Sequence, residues 1–139
     1  PVRYPTSPWQ DGDARDFGPA AAPGLPAPDA PIASSDGLRY LTQAFGRGFV
    51  LLRFAAEGTA PFPPGPDDLM VLTLLPPGAA PRPGCAVDAE GLARRRYGAM
   101  DGAAWLIRPD GYVLARWANP DPTAIAAALE HHAPRHEPA

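Results

Sequence analysis

The chain has one thiol, Cys85, set between Pro83-Gly84 and the apolar pair Ala86-Val87. A cysteine becomes a nucleophile when a nearby base or positive field lowers its pKa. The histidines, His131, His132 and His136, sit together near the far end of the chain, and no motif links them to Cys85. A single thiol also excludes an internal disulfide and dithiol exchange, and it fits a reducing compartment such as the cytoplasm. His131-His132 offers imidazoles to a metal, but adjacent helical residues point about 100° apart. Zinc needs three or four ligands at recognisable spacing, and that spacing is absent. Polar histidines near a helix end are the plainer reading, since positive His or Arg135 there complements the negative end of the helix.

Arg94-Arg95-Arg96 gathers three cations. In a chain of formal net charge -3 such a run reads as a solvated face or as ion-pair partners, not as a nucleic-acid stripe. All 12 basic residues are arginine. No Gly-x-Gly-x-x-Gly follows a strand and no phosphate loop occurs, so the chain carries no nucleotide fingerprint. Trp105, Tyr112 and Trp117 crowd one short stretch. One tryptophan is ordinary core material, but three large aromatics on a hairpin exceed what a small core absorbs. Trp, Tyr and Arg are favoured interface anchors. The expected interface residues are Tyr4, Trp9, Trp105, Arg108, Tyr112, Arg116 and Trp117.

These groups must be positioned by 139 residues, enough for one domain with its own core. The 21 prolines and 14 glycines are many and unevenly spread, so an ordered domain with extended segments is expected. No run approaches the ~20 apolar residues of a membrane span. No basic start leads into an apolar leader, and the first residue is Pro1, which reads as a fragment or processed product.

Residues 1–33 carry eight prolines and read as an extended arm. The arm also bears Tyr4, Trp9, Phe17, Leu25 and Ile32, so it lies either on its own domain or on a neighbouring polypeptide segment. The domain proper is placed at 34–135, with 136–139 a frayed tail. Ser35 or Asp36 can cap a helix to about Phe45, on the spacing of Leu38, Leu41 and Phe45. Phe49–Phe54 and Leu69–Leu75 are continuous apolar runs, as in strands covered on both faces. Between them, residues 56–68 hold four prolines and form a loop. A short strand at Ala86-Val87, a helix from Glu90 to Tyr97 with Asp88 as cap, and a hairpin turning at Pro109-Asp110-Gly111 follow. Asp121-Pro122 opens a last helix ending near Ala133, with Ile125, Ala128 and Leu129 as its buried stripe.

Tyr97-Gly98 leading into a strand, a Gly-closed turn and a second strand resembles the final hairpin of a thioredoxin fold. The resemblance implies an α/β sandwich with a mixed four- to five-stranded sheet and flanking helices. Ala103 falls where thioredoxins place a cis-proline. Leu52–Phe62 resembles their active-site strand and loop, with both cysteines replaced. A thioredoxin's long helix after the first central strand has no counterpart among the prolines of that loop.

Further segments carry a narrower resemblance. They are Tyr4-Pro5-Thr6-Ser7-Pro8, Pro23 through Pro31, Phe45 through Leu52, Tyr97-Gly98-Ala99, Leu106 through Val113, Ala115-Arg116-Trp117 and Asp121-Pro122. In this order they are similar to the C-terminal domain of flavin-dependent aromatic hydroxylases, the group of 3-(3-hydroxyphenyl)propionate hydroxylase and related phenol and polyketide hydroxylases. The resemblance implies a non-catalytic lobe. FAD-binding and substrate domains would precede it and act as its partners, and FAD and NAD(P)H would serve the parent enzyme. No catalytic, cofactor or metal residue carries over to this chain. A homodimer contact, an independent binding module and, at the far end, a Cys85 thiol enzyme are the alternatives; nucleic-acid and membrane partners are not expected.

Overall fold

The structure is a computed structural model that describes residues 2–3, 17–66, 68–131 and 135–136. The elements are β1 (Val2–Arg3), a 3-10 turn (Leu41–Ala44), β2 (Phe49–Phe54), β3 (Leu69–Leu75), β4 (Cys85–Val87), α1 (Leu92–Tyr97), β5 (Ala104–Ile107), β6 (Val113–Trp117), α2 (Pro122–His131) and β7 (Arg135–His136). Five strands form one sheet in the order β4-β3-β2-β5-β6. β2, β3 and β4 run parallel, and the β5–β6 hairpin joins β2 antiparallel.

Successive strand residues face opposite sides, and each side has its own core. Val50, Leu52, Phe54, Leu74, Trp105 and Ile107 point to one side, under Ala93 and Tyr97 of α1 and Ala21, Ala27, Ala30 and Ile32 of the arm. Leu51, Leu69, Leu106, Leu114 and Trp117 point to the other, under Ile125 and Ala128 of α2. Cover on both faces is why β2 and β3 are apolar except at Arg53 and Thr73. The arm supplies part of one layer.

The arm also closes both edges of the sheet. The Gly24 N–H donates to the Val113 carbonyl at 2.8 Å, and the Val113 N–H donates to the Leu25 carbonyl at 2.8 Å, alongside β6. At the opposite edge Ala33 and Val87 exchange N–H···O bonds of 2.8 and 2.9 Å, alongside β4. An unpaired edge is a template for another chain, and the arm occupies these positions without forming a regular strand, as its prolines require.

The helix expected from Ser35 or Asp36 to Phe45 is absent. Ile32 N–H donates to the Arg39 carbonyl and Leu41 N–H to the Ala30 carbonyl, so the segment folds back as a short hairpin. Its turn is fixed by Ser34, whose Oγ accepts from the Leu38 N–H at 2.7 Å, and by Gly37 at φ +92°. Only the 3-10 turn at Leu41–Ala44 remains helical.

The remaining elements follow their local chemistry. Asp88 is buried, and its carboxylate accepts from the N–H groups of Ala93 and Arg94, both at 3.0 Å, so it caps α1. Asp121 accepts from the Ala124 N–H at 2.8 Å and caps α2. The β5–β6 turn closes with Gly111 at φ +87° and an N–H···O bond from Gly111 to Arg108 of 2.9 Å. At the chain ends β1 and β7 pair antiparallel, Val2 with His136 and Arg3 with Arg135. His136, placed in a frayed tail on sequence grounds, is thus paired through its backbone.

Candidate functional site

Two places offer chemistry or recognition. The first is a cleft of about 250 Å³ beyond the end of β2, between the proline-rich loop and residues 101–104. Here a thioredoxin-type site would hold its thiols, and this chain sets Phe54-Ala55-Ala56 and Gly102 against each other instead. Gly102 N–H donates to the Phe54 carbonyl at 2.7 Å, and Phe54 N–H donates to the Ala103 carbonyl at 2.8 Å. Ala103 therefore continues the β2–β5 pairing through a trans peptide.

Arg53 is the cation of this cleft. It pairs in register with Thr73 on β3 and Ala104 on β5, and Thr73 pairs with Cys85 on β4. Arg53, Thr73 and Cys85 thus form one row across the sheet. Arg53 Nε donates to Thr73 Oγ1 at 2.9 Å, Nη2 donates to the Ala60 carbonyl at 2.6 Å, and the guanidinium lies 5.4 Å from the Phe62 ring centre. One side chain thereby ties down the loop that replaces a helix. Burial lowers the Arg53 pKa from its ordinary value, with Cys85 acting weakly in the opposite direction. Among the described residues no carboxylate is paired with it.

Cys85 itself is half-buried at the start of β4. A lone thiol in a strand has no partner for dithiol exchange. Of the histidines, His131 is exposed at the end of α2, and the side chains of His132 and His136 lie outside the described residues. The arginine run is divided among tasks. Arg94 pairs with Asp101 at 2.7 Å, Arg96 donates to the Asp29 carbonyl at 2.8 Å, and Arg95 is exposed.

The second place is the hairpin. Tyr4 and Trp9 of the expected interface set lie outside the described residues. Trp105, Arg116 and Trp117 are 0%, 8% and 6% exposed, so their surface is spent within the chain. Trp105 meets Phe17, Phe54 and Tyr97 edge to face, with ring centres 5.2 to 5.5 Å apart. Its Nε1–H donates to the Ala21 carbonyl at 2.9 Å. Arg116 lies over the Phe17 ring at 4.8 Å and donates to the Ala20 carbonyl, and burial lowers its pKa. Tyr97 donates to the Pro28 carbonyl at 2.7 Å, and burial pushes its phenol far above the ordinary value, with Asp29 adding to the effect. Trp105 is thus absorbed by the arm and Trp117 by α2, and Tyr112 stays exposed. Sequence reasoning missed this because it could not seat the arm; the signal available was that a buried indole N–H requires an acceptor.

The surface left at the hairpin is its tip. Tyr112 is 40% exposed, and Leu25, bonded to Val113 beside it, is 47% exposed. Arg108 lies 5.4 Å from the Tyr112 ring centre and is held by Asp110, whose carboxyl it keeps below the ordinary range.

The residues present do not fit a flavin dinucleotide. The common dinucleotide cradle is glycine-rich backbone leading into a helix with free N-terminal N–H groups. Here Asp88 takes the Ala93 and Arg94 N–H groups at the start of α1, and Asp121 takes the Ala124 N–H at the start of α2. Among the described residues no helix is long and apolar enough to cross a membrane.

No protein-family model matches the chain, and no curated protein matches it. Solved structures do. The chain is similar to aklavinone-11 hydroxylase, crystallised with FAD and aklavinone, at TM-score 0.59 and 23% identity over 81% of this chain and 21% of that one. It is similar to the flavin-dependent monooxygenase PieE, crystallised with FAD and substrate, at TM-score 0.55 and 22% identity over 91% of this chain and 23% of that one. It is also similar to a protein from Chlorobium tepidum assigned as the thiol:disulfide interchange protein DsbE, at TM-score 0.59 and 23% identity over 79% of this chain and 99% of that one. These likenesses, with the mixed sheet and its two helices, give a thioredoxin-like α/β fold. The chain spans between a fifth and a quarter of the length of the two flavoenzymes.

Proposed function

We propose that this chain is the non-catalytic C-terminal domain of an FAD-dependent, NAD(P)H-using aromatic-compound monooxygenase. Its partners are the FAD-binding and substrate domains of the same polypeptide, which it meets through the exposed hairpin tip around Tyr112 and Leu25. One observation carries the reading: a thioredoxin-like fold with one cysteine in its sequence matches, over 81% and 91% of its length, a minor part of a hydroxylase crystallised with FAD and of a flavin-dependent monooxygenase. A redox fold without its dithiol retains shape and surface, not electron chemistry. The capped helices argue that any flavin binds elsewhere in the parent.

A second reading has its own support. The match to the Chlorobium tepidum protein covers 99% of that chain, so the fold also stands by itself in a solved structure. An independent binding or dimerisation module would then be the function. The gene's reading frame upstream of the Pro1 codon separates the two. The monooxygenase reading expects a long preceding polypeptide with a glycine-rich strand-to-helix turn for the dinucleotide. A start codon immediately before Pro1 contradicts it.

A further inference from the structure

We propose that the cleft beyond β2 is a binding site for a small carboxylic acid with an apolar body, held by the Arg53 guanidinium. The inference rests on the cleft alone and is independent of the parent enzyme. Arginine carries five N–H donors. The contacts to Thr73 and Ala60 are to neutral oxygens, and each uses a single donor. The charge of a half-buried cation is therefore left without a counter-ion among the described residues, in a setting that strengthens its attraction for an anion. Its planar fork matches a carboxylate.

The walls decide the rest of the ligand. Phe62, Ala104 and Pro120 supply apolar surface, and Asn119 and Thr59 supply neutral polar groups. Asp101 also lines the cleft, but its carboxylate is bonded to Arg94 at 2.7 Å, so its repulsion of an anion is offset. One available cation suits a monoanion better than a phosphate dianion. A space of about 250 Å³ suits one ring or a short branched chain. Phe62 packs against the guanidinium and adds aromatic surface to the same cleft.

Benzoate is the probe, with benzamide as its neutral isostere. Amide chemical shifts of the whole chain are followed by NMR as each is added. The expected result is saturable benzoate binding, with shifts centred on Arg53, Thr59, Gly102 and Asn119. Benzamide and the Arg53→Gln variant should each bind about tenfold or more weakly, the loss of a charged hydrogen bond. Arg53→Lys, which keeps the charge and loses the fork, should fall between. Equal binding of benzamide, shifts centred on other arginines, or no saturation with benzoate overturns the proposal. If Arg53→Gln does not fold, the benzoate–benzamide comparison on the unaltered chain carries the test by itself.

Discussion

The indole of Trp105 donates its N–H to the carbonyl oxygen of Ala21 at 2.9 Å, joining the sheet to an arm residue 84 positions earlier. Both groups are buried, and the arm lies over the ring. The arm is therefore a layer of the domain and not a linker beside it. Trp105→Phe keeps much of the packing and strands the Ala21 carbonyl. A buried acceptor left unbonded costs about 1–3 kcal/mol, and urea denaturation should show a loss of that size. Tyr112→Ala, at the exposed tip, should cost less than about 1 kcal/mol. A Trp105→Phe protein as stable as the original would mean that the arm is not seated as described.

Removal of residues 1–33 makes a stronger version of the same prediction. It strips Ala21, Ala27, Ala30 and Ile32 from one core and uncovers positions on both edge strands. Exposed apolar surface and unpaired edges invite association. The truncated chain should aggregate or lose its cooperative unfolding transition, as read by light scattering and denaturation. A monomeric, cooperatively folded product would contradict this role.

Asp88 bonds two otherwise free N–H groups of α1 from a buried position. Replacing such a cap by Ala costs about 0.5–2 kcal/mol. Asp88→Ala should reach the upper end because water cannot easily replace the carboxylate. Asp88→Asn retains one acceptor and should lose less. Denaturant midpoints of the two variants check the order.

Asp110 titrates below the ordinary carboxylate range, first because Arg108 bonds its side chain and then because of the Tyr112 N–H, with burial opposing both. A carboxylate depressed in the folded state stabilises it above the unfolded pKa of about 4. That contribution is lost as the pH falls through the lower folded value. The pair is partly exposed, so it contributes less than about 1 kcal/mol after solvent screening. The Tyr112 amide should lose protection, taken relative to its intrinsic exchange rate at each pH, as acid protonates Asp110, and Asp110→Asn should remove this pH dependence. An unchanged profile in the variant would sink the assignment.

Several elements were readable because local chemistry and tertiary demand agree. The apolar runs at Phe49–Phe54 and Leu69–Leu75 are strands with the expected bounds. Pro109-Asp110-Gly111 forms the expected turn, and Asp88 caps the following helix. Leu38, Leu41 and Phe45 misled, because their helical spacing outweighed Asp36-Gly37, a dipeptide that favours a hairpin turn. The turn prevailed because the backbone on either side of it, at Ile32 and Arg39, pairs across it. Arg53 was legible only as a polar residue in an apolar strand. Its place beside the cleft depends on the fold of a proline-rich loop that no periodicity describes.

The claim that this domain is a redox-silent lobe of a flavoenzyme is tested most directly by flavin absorbance and NAD(P)H oxidation. Both are measured on the chain alone and on the full product of its gene. The account predicts a colourless, inactive chain and a yellow full product that oxidises NAD(P)H. Stoichiometric flavin on the chain alone, or a flavin-free full product, would contradict it.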